Sequence, residues 1–174
     1  MIPDNLKDLT FSVISDGEDF VVSFLDGSVY FFDCSEGELS IISQPSGYSK
    51  ASSSPSIYVF DSGYFIAKMN SSTYYTISFY SKINKVETSF LDKYVRFIAP
   101  IRYEEGLFFG NTDNGTYYFD SITVSLIKCS DVSIGGSYSY SLEESVDKII
   151  IDGYASSSGY SETFAVFDKE TKIG

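Results

Sequence analysis

The chain has 174 residues, a net charge of −12 from 24 acidic and 12 basic residues, and a hydrophobic share of 43%. A hydrophobic share of that size excludes a disordered chain, and the length is sufficient for one domain with a sizeable core. The acidic excess disfavours direct binding to nucleic acid or to an anionic membrane surface, because both present negative charge.

The composition predicts an all-β fold. Phe and Tyr occur 15 times each, whereas the chain has no Trp and no His. Aromatic and β-branched residues are enriched in strands, and the connections between the apolar runs are rich in Ser and Gly. Long runs of Ala, Leu, Glu and Lys, which favour helices, do not occur in the sequence.

The first group of predicted strands covers about residues 9–43. Its strands are expected at 9–15, 20–25, 28–34 and 39–43. An Asp26-Gly27 pair between two apolar runs is a strong hairpin signal, because Gly adopts the positive φ of a tight turn without strain. Four consecutive antiparallel strands of this kind form the unit of a propeller blade.

A Pro/Ser/Gly-rich linker at 44–56 precedes the second group, at about 57–91. Its strands are expected at 57–61, 64–69, 73–80 and 85–91. The third of these strands alternates, and its more apolar set should face the core. That set is Thr73, Tyr75, Ile77 and Phe79.

The third and fourth groups cover about 94–129 and 137–174, and all four groups are expected to form a single domain. Pro100 lies in the first strand of the third group and predicts an edge, a bulge or a bend. The fourth group ends before an outer strand is complete, so we expect an open sheet edge there.

Residues that end the third strand of each group suggest a repeat. Asp33, Tyr80, Asp120 and Asp168 align at spacings of 40 to 48 residues. The segments 26–33 (DGSVYFFD) and 164–172 (FAVFDKETK) resemble the hairpin and the strand end of pyrroloquinoline-quinone-type β-propeller repeats. The resemblance implies a β-propeller-like array of antiparallel four-stranded repeats and nothing about a cofactor. A β-sandwich is the alternative.

Several kinds of chemistry are excluded or disfavoured by the sequence. Without His, the chain cannot form a Ser-His-acid triad or a His-ligated metal site. Adjacent carboxylates in turns do not span a cleft as glycosidase acids do, and no phosphate-binding glycine loop is present in the sequence. Two cysteines, Cys34 and Cys129, do not make a disulfide framework. We therefore expect a chain that is not an enzyme and has no cofactor and no metal.

The N-terminal sequence lacks a signal-peptide pattern, and no apolar run approaches the roughly 20 residues that span a bilayer. A cytoplasmic location is the expectation, with a virion component as the alternative.

Binding to another protein is the function that the sequence favours. Segments rich in Tyr, Ser and Gly resemble adaptable binding loops, because Tyr supplies contact area at low entropic cost. The candidate partner-binding residues are Tyr48, Tyr138, Tyr140, Glu143, Glu144, Tyr154, Tyr160 and Glu162. The partner is expected to be a protein, and an inhibitor or immunity-like protein for a basic toxin or nuclease is one concrete version.

Two alternatives stay open from the sequence. One is a structural subunit of a larger assembly such as a phage particle, which would oligomerise through the open sheet edge. The other is an enzyme or glycan-binding propeller.

Overall fold

The computed structural model describes residues 11–46, 53–71, 73–111, 115–134, 141–156 and 160–174, with the backbone alone at 91–94, 98–99, 111, 153–156 and 160–163. Fifteen strands are assigned within these ranges. They are β1 (Phe11–Asp16), β2 (Asp19–Phe24), β3 (Val29–Asp33), β4 (Glu38–Ser43), β5 (Ser56–Phe60), β6 (Gly63–Met69), β7 (Tyr75–Ser81), β8 (Glu87–Val95), β9 (Phe97–Tyr103), β10 (Gly106–Asn111), β11 (Gly115–Asp120), β12 (Ser125–Ser130), β13 (Ser141–Glu144), β14 (Lys148–Ser156) and β15 (Tyr160–Asp168).

The strands form four antiparallel sheets, each made of consecutive strands. The first sheet has the order β1-β2-β3-β4, the second β5-β6-β7-β8, the third β12-β11-β10-β9 and the fourth β13-β14-β15. The prediction of an all-β fold with repeated antiparallel sheets is confirmed. In the described part of the chain no helix is long and apolar enough to cross a membrane.

The chain divides into two compact units, Met1–Tyr94 and Val95–Gly174. In unit 1 the first and second sheets pack face to face through one apolar cluster, which includes Val21, Ile42, Ile57, Tyr64 and Ile66. Because successive side chains of a strand point to opposite faces, Tyr64 and Ile66 reach the first sheet from the same face of β6.

Unit 2 has a core of its own. It contains Phe108 and Tyr118 of the third sheet and Ile149, Ile151 and Phe167 of the fourth. Phe108 and Phe167 stack with ring centroids 5.2 Å apart, which adds to the burial of their apolar area.

The ends of the third strands support the repeat seen in the sequence. Asp33 Oδ1 accepts hydrogen bonds from the backbone N–H groups two and three residues later, and Asp120 and Asp168 do the same. In the second sheet the equivalent acceptor is the hydroxyl of Ser81, which receives the N–H of Asn84. The repeat therefore aligns at Ser81, one residue after the predicted Tyr80.

Pro100 has the position that the sequence predicted. Strand β9 lies at the edge of the third sheet, and its pairing with β10 shifts between Phe108 and Gly110. A bulge at an edge strand is where a residue without a backbone N–H disturbs the sheet least.

Two other details differ from the sequence-based expectation. In β7 the predicted core residues Ile77 and Phe79 are buried, whereas Tyr75 is half-buried and Thr73 is exposed and precedes the strand. Ser78 on the opposite face is buried as well, because that face packs on the first sheet. In the fourth group the first strand is expected at 137–142, and its residues 137–140 lie outside the described part of the chain; the described strand β13, Ser141–Glu144, ends two residues later than expected.

Candidate functional site

A groove of about 490 Å³ opens between the first and second sheets of unit 1. We call it the acidic–aromatic groove, after the carboxylates and aromatic rings that line it. Its lining residues are Asp16, Asp19, Phe31, Asp33, Glu36, Glu38, Ser40, Ile42, Tyr64, Tyr80, Lys82 and Lys85.

The carboxylates of the groove come from hairpin ends. Asp16 ends β1 and Asp19 begins β2, while Asp33 ends β3 and Glu38 begins β4. In a meander, the first and third hairpins lie at the same end of the sheet, so their polar turn residues are brought together. The local turn chemistry of two hairpins thus produces one acidic edge.

The groove wall is a stack of three aromatic rings. Phe31 of β3 stacks on Tyr64 of β6 at a centroid distance of 6.5 Å and an interplanar angle of 29°. Tyr64 stacks in turn on Tyr80 of β7 at 6.2 Å and 16°. Tyr64 is buried in the middle of the stack, whereas Phe31 and Tyr80 at its two ends are half-buried. The face of an aromatic ring is electron-rich and attracts cations, so the two end rings are the ones that a cation in the groove can contact.

A partly buried polar cluster holds the stack in place. The Tyr64 hydroxyl donates to Asp16 Oδ2 at 2.5 Å, and Lys82 Nζ donates to Asp16 Oδ1 at 2.9 Å and to the Phe60 carbonyl at 3.0 Å. Lys82 Nζ lies 4.9 Å from the centre of the Tyr64 ring. Burial, followed by the hydrogen bond to Asp16 and its charge, raises the pKa of Tyr64 well above its ordinary value, so the phenol stays a donor.

The rim of the groove carries an excess of negative charge. Five carboxylates line it against two lysines, one of which is paired with Asp16. Hydrogen bonds from the Ser35 hydroxyl and then the backbone of Glu36 lower the pKa of Asp33, so its carboxylate stays ionised to a lower pH than an ordinary aspartate. Glu36 and Glu38 are exposed. The groove is therefore suited to an ammonium or guanidinium group that contacts rings and carboxylates together.

A free cysteine lies beside the acidic rim. Cys34 is exposed, and its backbone N–H donates to Asp19 Oδ1 at 2.9 Å. Desolvation, then the charges of Asp19, Asp33 and Glu18, raise the pKa of its thiol. The thiol can serve as a natural probe of the groove's charge. No group of three or more His, Cys, Asp or Glu residues suited to a metal ion occurs in the described ranges.

The residues predicted from the sequence lie elsewhere. Tyr48, Tyr138 and Tyr140 lie outside the described residues, as do the side chains of Tyr154, Tyr160 and Glu162. The backbone register places Tyr154 opposite Glu162 and Ser156 opposite Tyr160. Glu143 and Glu144 are exposed on β13 of unit 2, where Glu144 forms an ion pair with Lys169. A shared binding face made by these residues stays a prediction.

Sequence reasoning did not identify the groove. The signal that could have found its acidic part is the repetition of Asp and Glu at both hairpins of the first sheet. The aromatic part depends on which face of β6 and β7 packs on the first sheet. Both faces of these strands are apolar enough to be buried, so alternation alone does not decide it.

Comparison with known proteins adds information on the fold alone. No protein-family model and no curated protein matches the chain. Among solved structures, it is similar to the crystal structure of the computationally designed Ika4 protein, with a TM-score of 0.55 and 13% identity over 96% of this chain and 93% of that one.

Proposed function

We propose that the chain is a non-enzymatic module that binds a basic protein, and that the acidic–aromatic groove is its contact surface. The observation that carries the proposal is the placement of five carboxylates around a stack of three rings. A lysine or arginine side chain of the partner would lie on the rings while its charged end contacts the carboxylates.

The charge of the whole chain supports the same kind of partner. A net charge of −12 accelerates encounter with a basic protein and makes the association sensitive to salt. An inhibitor or immunity-like role toward a basic toxin or nuclease is the concrete version that we favour.

The test must distinguish binding through the groove from attraction by the negative charge of the whole chain. The tagged chain is incubated with lysate of its native cell, and the retained proteins are eluted with salt. The double variant Asp33→Asn/Glu38→Gln removes two groove charges, whereas Glu105→Gln/Glu170→Gln removes two exposed charges from unit 2. We expect a basic protein that is retained by the wild type and the unit 2 variant and lost from the groove variant. Equal retention of the basic protein by both variants would refute the groove as its contact surface.

A third variant compares the groove with the face predicted from sequence. Glu143→Gln/Glu144→Gln neutralises two of the predicted partner-binding residues, which the structure places on β13. Loss of the basic protein from this variant alone would transfer the contact surface to unit 2 and leave the proposed class of function intact.

A structural subunit of a larger assembly is the second candidate. The outer face of the first sheet, opposite the groove face, exposes Phe11, Val13, Phe20 and Ile41. Exposed apolar patches of this kind often mark contacts with other chains. An apolar cavity of about 430 Å³ lies on this face.

Oligomer formation discriminates the second candidate. Val13→Glu places a charge on the outer face of the first sheet, at a side chain that is already 50% exposed. Ile83→Glu is the control, because it places the same charge in a turn of the second sheet, at a side chain that is 81% exposed. If the chain assembles through this face, sedimentation equilibrium will show oligomers of the wild type and of Ile83→Glu that are absent from Val13→Glu. A monomeric wild type at all concentrations would exclude self-assembly through this surface.

The propeller-like arrangement of the four sheets, and with it the likeness to pyrroloquinoline-quinone-type repeats, stays a proposal. Its support is that every sheet consists of consecutive strands and that three of the third strands end in an equivalent aspartate turn. A β-sandwich is the alternative arrangement.

A further inference from the structure

A third, smaller cavity in unit 1 is lined by polar side chains. It has a volume of about 270 Å³, and Lys68, Asn70, Thr76, Ser78, Glu87 and Ser89 are among its lining residues. Tyr64 of the acidic–aromatic groove and Lys68 of this polar cavity point to the same face of β6, four residues apart. At about 3.3 Å per strand residue, their Cα atoms are roughly 13 Å apart.

The charged groups of the polar cavity neutralise each other. Lys68 is 9% exposed, and its ammonium donates to the Ser43 hydroxyl at 2.6 Å and the Gln44 carbonyl at 2.9 Å. Glu87 Oε1 lies 3.7 Å from the ammonium and accepts the hydroxyls of Ser43 and Ser78 at 2.6 Å each. One buried cation beside one carboxylate leaves no net charge to attract an ion.

Asn70 is the unsatisfied member of the polar cavity. Its side-chain Nδ2 and Oδ1 are both buried, and neither has a hydrogen-bond partner within the described part of the chain. The backbone N–H of Asn70 already closes the turn by donating to the Tyr74 carbonyl at 3.0 Å, so the side chain is not needed for that turn. A buried amide with a free donor and a free acceptor costs free energy unless a ligand or water completes it.

We propose that the polar cavity binds a small, uncharged polyhydroxy molecule of the size of one sugar ring, with Asn70 as the residue that recognises it. A hydroxyl both donates and accepts, which matches the free amide and the surrounding Ser and Thr hydroxyls. The internally paired Lys68 and Glu87 favour a neutral ligand over an anion or a cation. The volume is slightly below the range of about 300 to 1,000 Å³ that is typical of drug-sized sites, which fits a single ring.

The experiment uses the whole ¹⁵N-labelled chain and three probes of similar size: D-glucose, gluconate and glucosamine. We expect saturable NMR shifts at the Asn70 side-chain amide and at the backbone of Ser78 and Glu87 with glucose, and weaker responses with the two charged probes. An absence of saturable shifts with glucose, or a stronger response to either charged probe, would overturn the proposal.

Variants localise the response. Loss of two hydrogen bonds in Asn70→Ala should weaken glucose binding by at least about tenfold. Asn70→Asp, which keeps the shape and removes the donor, should show the same loss if Asn70→Ala does not fold. Asn84→Ala, in an exposed turn, should bind glucose like the wild type. Undiminished binding by both Asn70 variants would also overturn the proposal. The groove variant Asp33→Asn/Glu38→Gln should bind glucose normally, so this test is independent of the proposed protein partner.

Discussion

The hydrogen bond between Tyr64 and Asp16 should contribute measurably to the stability of unit 1. Tyr64 is 2% exposed, and the side chain of Asp16 is 17% exposed. Tyr64→Phe keeps the stacked ring and removes the donor, while Lys82 continues to pair with Asp16. A hydrogen bond to a charged group is worth about 1.5 to 3 kcal/mol, so we expect the free energy of unfolding to fall by about that amount.

Hydrogen exchange of the β6 amides in urea measures this change in unit 1 alone. With a urea m value of about 2 kcal/mol/M, the urea concentration at which unit 1 is half unfolded should be about 1 M lower in Tyr64→Phe than in the wild type. Tyr80→Phe is the matched control, because burial alone raises the pKa of Tyr80 and no carboxylate contributes. A double-mutant cycle with Asp16→Asn should recover most of the loss as coupling energy. A Tyr64→Phe effect below about 0.5 kcal/mol, or no coupling to Asp16, would refute the assigned role of the hydroxyl.

Two further predictions concern titratable groups. Iodoacetamide should alkylate Cys34 and spare Cys129, because Cys34 is exposed and burial raises the pKa of the Cys129 thiol to about 12. The alkylation rate of Cys34 should increase with salt, since salt screens the neighbouring carboxylates that raise the pKa of its thiol. An alkylation rate that does not depend on salt would contradict this effect of the carboxylates. Hydrogen bonds from the backbone and then the hydroxyl of Thr171 lower the pKa of Asp168 to about 2, so its stabilising contribution is present above about pH 4 and is lost as the pH falls through about 2. An NMR titration should show a higher Asp168 pKa in Thr171→Ala, and an unchanged pKa would exclude the hydroxyl as a cause.

The strands were predictable because local signals agree with the final sheets. Apolar runs bounded by turn residues such as Asp26-Gly27 are found in the structure as hairpin-linked strands, and Gly27 has a φ of 87°. The terminal aspartates of third strands were also visible, since Asp33, Asp120 and Asp168 stand at regular spacing. In each of these cases the determining residues are neighbours in sequence.

The candidate sites were not predictable, because their residues meet only when the two sheets pack. Lys68 is near the end of β6, after an apolar run, and in the sequence it resembles an exposed charge at a strand end. It is buried in the structure, and its hydroxyl partner Ser43 is 25 positions away in the chain. Tyr64 and Asp16 are 48 positions apart. Sequence periodicity reports which face of a strand a side chain occupies, but it does not report which sheet covers that face.

The arrangement of unit 1 separates residues that are available for binding from residues that the fold requires. Glu36 and Glu38 are exposed at hairpin ends, so their charge can change with little effect on stability. Asp16 is held by a partly buried hydrogen bond between the sheets and Lys68 by a buried one, and removing one partner of such a pair leaves a charge that is at least partly desolvated. The apolar core around Ile66 lies between them and keeps the groove and the polar cavity apart. Loss of binding in the groove variant Asp33→Asn/Glu38→Gln without loss of stability is therefore the pattern that would identify the groove as a functional surface rather than a by-product of folding.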